Sequence, residues 1–174
     1  MDVLTNPNTK KEYSHKINGR WENQYLNIDL VPELKSIFAF ACKTGKNIIN
    51  KSLIIPHKQS GFHTNEFWFN IADPGKATGW HDHKEIAMLS GVYYINVPKG
   101  SGNIKFRKKH GKVYKEWIIK SEEGKMILFN SGLEHCVEKN NSNKTRISLA
   151  FNLYTLPIKS FGNFESYSSN KFYS

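Results

Sequence analysis

Apolar positions along this chain change their period once, near residue 65. Before that point Leu34, Ile37, Phe38, Cys42, Ile48 and Ile49 recur at close to helical spacing. Val31-Pro32-Glu33 opens this stretch; proline fits a first helical turn and glutamate favours the positive end of the helix. Gly45 is expected to weaken or break the helix near its end. After residue 65 the pattern becomes that of short strands separated by turn residues. Phe67 to Ile71 stops at Asp73-Pro74-Gly75, and Met88 to Val97 stops at Pro98-Lys99-Gly100. Asn103 to Lys108 and Lys112 to Lys120 read as a hairpin around His110-Gly111. Lys125 to Phe129 follows Glu123-Gly124. Leu133 to Val137 and Thr145 to Tyr154 are predicted to form a last hairpin around Lys139-Asn140-Asn141-Ser142.

The final strand is the most informative. Ile147, Leu149, Phe151 and Leu153 alternate with Arg146, Ser148, Ala150 and Asn152. The apolar face should pack on the helix near residues 31 to 49. The other face is small or polar and begins with a cation, as suits a barrel with a ligand cavity. Residues 1 to 30 read as short strands and loops laid over the core, and 57 to 65 as a polar loop containing His57 and His63. With no internal repeat and no linker, the chain is expected to be mostly β, a helix packed on one sheet of a sandwich or barrel. One domain over 1–174 is expected, with its core at 66–155 and residues 1–65 packed on it.

Composition narrows the setting. The chain has 174 residues, 39% of them hydrophobic, and no apolar run of the roughly 18 residues a membrane span needs. The polar start, Met1 to Lys11, lacks the apolar centre of a signal peptide. Cys42 and Cys136 are the two cysteines, so a disulfide scaffold is not expected and a cytoplasmic location is the default. The net charge of +10 attracts anions in general, but lysine and asparagine are spread throughout, and charge alone decides little. Lys105 to Lys112, with Tyr114 and Trp117 beyond, could hold a nucleic acid through phosphate contacts and stacking. Such a run is more often a solvated hairpin.

The histidines carry the chemistry. In an extended segment His81 and His83 point to one side and Asp82 to the other. Two imidazoles so placed can reach one metal ion, and His135 is the candidate third ligand. Glu85 shares the side of His83. Two frames are therefore open: His81, His83 and His135, or His83, Glu85 and His135, the second being the usual two-histidine, one-carboxylate face of non-haem iron. A lone His-x-His pair among seven histidines is weak by itself. Arg146 strengthens it. With the last hairpin turning near residues 140 and 141, Arg146 would sit almost opposite His135, with Ser148 on the same face. A buried guanidinium requires an anionic partner and grips a carboxylate with two parallel hydrogen bonds. Glu134 and Glu138 could neutralise it internally, but both have the opposite parity from His135.

Six segments in this order resemble the 2-oxoglutarate- and iron(II)-dependent oxygenases of the double-stranded β-helix (jelly-roll, cupin-like) fold. The similarity is greatest to a small group common in bacteria and phages. They are Asp73-Pro74-Gly75, His81-Asp82-His83, Leu89 to Tyr94, Ile127 to Ser131, His135 and Arg146 to Asn152. The resemblance covers about half the chain. It implies that His81, His83 and His135 are the metal ligands, with Glu85 the alternative carboxylate. It further implies that Arg146 binds the distal carboxylate of 2-oxoglutarate with Ser148 beside it. Fe(II), 2-oxoglutarate and O2 follow as cofactor and cosubstrates, and hydroxylation of an unidentified substrate with release of succinate and CO2 as the reaction. The setting it implies is the cytoplasm of a bacterium or a phage-infected host. The competing readings are a non-catalytic cupin-like binding module, which has no need of Arg146 and Ser148, and a nucleic-acid-binding protein using the hairpin at 105–120.

Overall fold

The computed structural model describes residues 2–13, 16, 17, 20, 21, 23–83 and 87–158. A short helix α1 (Asp2–Thr5) is followed by four two-residue strands, β1 (Glu12–Tyr13), β2 (Lys16–Ile17), β3 (Arg20–Trp21) and β4 (Gln24–Tyr25). The main helix α2 (Leu34–Ile49) leads into β5 (Leu53–Ile54). Eight longer strands complete the chain: β6 (Phe67–Ala72), β7 (Thr78–His81), β8 (Leu89–Asn96), β9 (Ile104–His110), β10 (Val113–Ile119), β11 (Met126–Asn130), β12 (Glu134–Val137) and β13 (Arg146–Thr155). The larger sheet has the order β1-β4-β6-β13-β8-β11, with β5 on the end of β13; the smaller has the order β10-β9-β12-β7. All pairings within them are antiparallel. Residues of both sheets line one cavity between them. No helix among the described residues is long and apolar enough to cross a membrane.

β13 organises the larger sheet because both its faces are buried. Leu149, Phe151 and Leu153 are fully enclosed and Ile147 nearly so. They share one apolar cluster with Leu34, Phe38 and Ala41 of α2, as the alternation predicts. The Phe38 and Phe151 rings meet edge-on with centroids 6.1 Å apart. Helix α2 does not break at Gly45. It continues to Ile49 and ends on Asn50, whose left-handed backbone (φ 53°) lets its N–H reach the Lys46 carbonyl. Gly45 is there for close approach: a Cβ at this position would lie 2.6 Å from Leu53 Cδ1 and 3.3 Å from Leu89 Cδ1.

The predicted last hairpin does not form. β12 pairs with β7 and β9 in the smaller sheet, whereas β13 pairs with β6, β8 and β5 in the larger. The segment 138–145 is a corner between sheets, and Asn140 holds it. This side chain is fully buried; its Nδ2 donates to the carbonyls of Ala72 and Lys144, both at 2.8 Å. Its Oδ1 accepts from the Ser142 N–H and hydroxyl at 3.0 and 2.6 Å. Gly75 N–H donates to the Asn140 carbonyl, and Asn140 N–H to that of Lys76. The Asn-rich cluster is thus a genuine turn signal, but it turns the chain across the core rather than back on itself.

Candidate metal centre

His135 belongs to β12 and stands directly across from His81 of β7 in the strand register. Their ring centroids are 4.2 Å apart. His83 follows two residues after His81, past the strand end, where its backbone N–H donates to the Ser131 carbonyl at 2.8 Å. Its ring lies 5.2 Å from that of His81 and 5.4 Å from that of His135. One ligand atom from each of the three lies within 4.8 Å of the others. Glu85, the carboxylate of the rival frame, lies outside the described residues.

Backbone carbonyls set the histidine tautomers. His81 Nδ1 is 2.8 Å from the Gly79 carbonyl, and His135 Nδ1 is 3.0 Å from that of Leu133. A carbonyl oxygen only accepts, so each Nδ1 carries the hydrogen and each Nε2 presents its lone pair. This tie also holds the ring in orientation, as outer-sphere partners of metal-bound histidines do. Burial, with the neighbouring His81, pushes His83 down to about 4, and burial with His81 pushes His135 down to about 4. Both therefore stay neutral near pH 7 and able to coordinate. His135 is wedged between aromatic rings, 4.7 Å from Phe129 and 6.1 Å from Phe106. The donor set is three imidazoles, a chemistry suited to divalent iron and its neighbours in the first transition row. Such ligands leave the full charge of the ion uncompensated, which favours a dianionic chelator.

The triad opens into a cavity of about 370 Å³ between the sheets. Its floor is the polar face of β13: Arg146, Ser148, Ala150 and Asn152. Arg146 and His135 thus face the same space, but from opposite sheets rather than across a hairpin. Arg146 is 3% exposed. Its Nη1 donates to the carbonyls of Ser101 at 2.5 Å and Glu138 at 3.4 Å. The Glu134 carboxylate pairs with Arg107 at 2.9 Å, and the Glu138 carboxylate accepts from Asn103. Ser148, also buried, lies two residues on along the same face. Gly102 allows the approach of Arg146. With φ 92° it accepts a backbone few residues tolerate, and a Cβ there would sit 2.5 Å from the Glu138 carbonyl oxygen and 3.1 Å from Arg146 Nη1.

Two residues of the site, Trp68 and Asn70, are not singled out by the sequence. Trp68 lines the cavity with its ring 5.9 Å from that of His83, and Asn70 lies beside it on β6. The signal for both was the alternation of β6, read only as core. Tyr94 also faces the cavity and is 2% exposed; burial pushes its phenol up, while Ser121 and the Arg146 charge pull the other way. Tyr93 instead packs against the apolar cluster under α2. Cys136 is buried and, like Cys42, a free thiol.

Comparison with known proteins agrees with this architecture. No curated protein sequence matches the chain significantly. Among solved structures, the α-ketoglutarate-dependent carbocyclase SnoK from nogalamycin biosynthesis superposes with a TM-score of 0.64 at 13% identity, over 87% of this chain and 70% of that one. The α-ketoglutarate-dependent epimerase SnoN from the same biosynthesis gives 0.65 at 9% identity, over 88% and 68%. AviO1 from Streptomyces viridochromogenes Tue57 gives 0.63 at 9% identity, over 91% and 80%. At such identities these similarities speak for the fold alone, a mostly β, cupin-like double-stranded β-helix. The family model described as "Putative 2OG-Fe(II) oxygenase" matches residues 66–116 and 109–152. Half of the chain lies within those bounds, and the protein belongs to the 2OG-Fe(II) oxygenase family, whose membership implies Fe(II) as metal and 2-oxoglutarate as cosubstrate.

Proposed function

We propose that the chain is a hydroxylase in which His81, His83 and His135 hold Fe(II) and Arg146 with Ser148 binds the distal carboxylate of 2-oxoglutarate. In this reading 1–174 forms one domain, with residues 66–155 as its catalytic core. The observation that carries it is the buried Arg146 facing the same cavity as the triad. A cupin that only binds a metal has no use for a forked cation facing the same space, whereas a cosubstrate carboxylate matches its parallel donors.

Bound iron would supply the redox chemistry by which O2 oxidises both partners, one oxygen atom entering succinate as 2-oxoglutarate loses CO2 and the other entering the substrate as its hydroxyl. The chain's own residues do the rest. Arg146, held by two carbonyls, fixes one end of the cosubstrate, so that its other end is presented toward the triad. Ser148 can add a hydrogen bond to the same carboxylate. The Nδ1–carbonyl ties keep His81 and His135 from turning their protonated nitrogens to the metal. Phe129 and Phe106 exclude water from the side of His135. Trp68 closes the side of His83.

Two measurements test the assignment. Metal content after loading with Mn(II) should be one ion per chain, and His135→Ala should remove it. His81→Ala should do the same while Glu85→Gln keeps the ion; the reverse outcome moves the site to His83, Glu85 and His135. Release of labelled CO2 from carboxyl-labelled 2-oxoglutarate should require Fe(II) and disappear in His135→Ala. Turnover that persists in that variant would sink the metal assignment.

A further inference from the structure

The β9–β10 hairpin is longer than the sheet that carries it. β7 ends at His81, and β12 begins at Glu134, opposite Arg107. Beyond that level β9 runs on through Lys108, Lys109 and His110, and β10 returns through Val113, Tyr114 and Lys115. Three further residues of strand extend the hairpin by about 10 Å past the start of β12. His135, paired with Phe106, lies one step inside this level. The projecting tip therefore stands beside the metal-site end of the cavity.

Charge is partitioned at the same level. Below it, Lys105 lies 3.6 Å from the Glu116 carboxylate, Arg107 2.9 Å from Glu134 and Lys120 2.9 Å from Glu122. Above it, residues 108–115 contain four lysines and no acid. Lys108, Lys109, Lys112 and Lys115 are all exposed, and no carboxylate among the described residues pairs with them. Lys108 and Lys115 are direct cross-strand partners on one face. Like charges so opposed weaken a hairpin, and no ion pair among the described residues offsets it.

A column of planar groups runs from this tip along the outer face of the smaller sheet, the face opposite to Phe106, His135 and His81. The Arg107 guanidinium lies 4.4 Å from the Tyr114 ring centre on one side and 4.4 Å from that of Trp80 on the other. Tyr114 is 45% exposed. Lys109 shares the face of Arg107 and Tyr114, and Lys108, Lys112 and Lys115 surround the same tip; lysines next to aromatic and guanidinium planes match a strand of phosphates with unpaired bases. An acidic peptide would meet the lysines but has no use for the planar column. A membrane surface would require more apolar surface than Val113 and Tyr114 offer.

We propose that the hairpin tip is a docking surface for single-stranded nucleic acid, its phosphates on Lys108, Lys109, Lys112 and Lys115 and its bases along Tyr114, Arg107 and Trp80 on the outer face of the smaller sheet. That the docked strand is also the oxidised substrate rests on the oxygenase reading; the binding itself does not.

The test is fluorescence anisotropy of a labelled single-stranded oligodeoxynucleotide with the full chain, across a salt series. Four engaged lysines give a slope of about −2.8 in log K against log salt, so fourfold more salt weakens binding about 50-fold. Replacing Lys108, Lys109, Lys112 and Lys115 together by glutamine should abolish most of the affinity and flatten the slope. A charge-matched control replaces the exposed Lys43, Lys46, Lys51 and Lys99 by glutamine, and should bind like the parent. Equal loss in both variants would show an effect of net charge only and overturn the proposal. Competition by polyglutamate as effective as by unlabelled oligonucleotide would overturn it too, as would no binding at low salt. Mn(II) and 2-oxoglutarate binding, measured on the same preparations, should be unchanged by either set. Loss of oligonucleotide binding alone therefore leaves the oxygenase reading standing, and the converse holds.

Discussion

Removing the Arg146 side chain is the perturbation that bears most directly on the proposed chemistry. The guanidinium has five N–H donors, and Nη1 is engaged by the Ser101 and Glu138 carbonyls. Those bonds fix the plane of the fork before any ligand arrives. A charged hydrogen bond contributes about 1.5 to 3 kcal/mol. Truncating one partner of a buried charge pair costs about 2 to 5 kcal/mol, since the other charge is left unpaired. At about 1.4 kcal/mol per tenfold, the lower bound of 2 kcal/mol already weakens 2-oxoglutarate roughly 30-fold. Arg146→Ala also strands two carbonyls, each worth about 1 to 3 kcal/mol if left unmet, so some loss of stability accompanies it. Arg146→Lys retains a charge and a donor but not the fork, and should recover only part of the affinity. The assay is calorimetric titration of 2-oxoglutarate into Mn(II)-loaded protein without oxygen, with thermal melts in parallel. Metal binding should be nearly intact in both variants, because arginine offers the ion no lone pair. Unchanged 2-oxoglutarate affinity in a folded, metal-loaded Arg146→Ala protein would refute the reasoning and leave a cupin-like binder as the better account.

Two other predictions concern the frame around the site. Phe151→Ala should destabilise the chain by about 3 to 5 kcal/mol in chemical denaturation, because the ring is fully buried between Phe38 and the Gly91 backbone; a loss below about 1 kcal/mol would mean that α2 does not rest on β13. Burial pushes the Glu66 carboxyl above its usual 4.5, against hydrogen bonds from Asn152 and Tyr154. Its protonated form is therefore favoured by folding, and stability should fall as pH rises from 4.5 through the raised folded value. Glu66→Gln should flatten that part of a stability–pH profile, and an unaltered profile would show that Glu66 ionises as freely in the folded chain as in the unfolded one.

Much of the candidate site was legible in the sequence because face assignment depends only on the strand period. Alternation along residues 146–153 places Arg146 and Ser148 opposite Ile147 and Leu149, and the structure retains that division. The same period puts His81 and His83 on one side, and their rings meet. Helix α2 was readable from its apolar spacing and from the proline in its approach. What alternation cannot carry is the identity of a strand's neighbour, since pairing uses backbone groups that every residue possesses. Hence β12 and β13, contiguous in sequence, were expected to pair with each other and instead lie in different sheets. Asn140 decided this by satisfying carbonyls of two segments at once, including that of Ala72, far off in sequence. The direct partnership of His135 with His81, and the carbonyls that set their tautomers, arise only from this arrangement. Gly45 and Gly102 make the same point. A sequence shows where a side chain is missing, but only the packed neighbour, Leu53 or the Glu138 carbonyl, shows what its absence makes room for. Sequence alone determined which residues can share a face, because local sterics set the period. Tertiary structure determined which faces meet, because that depends on where distant backbone groups find their partners.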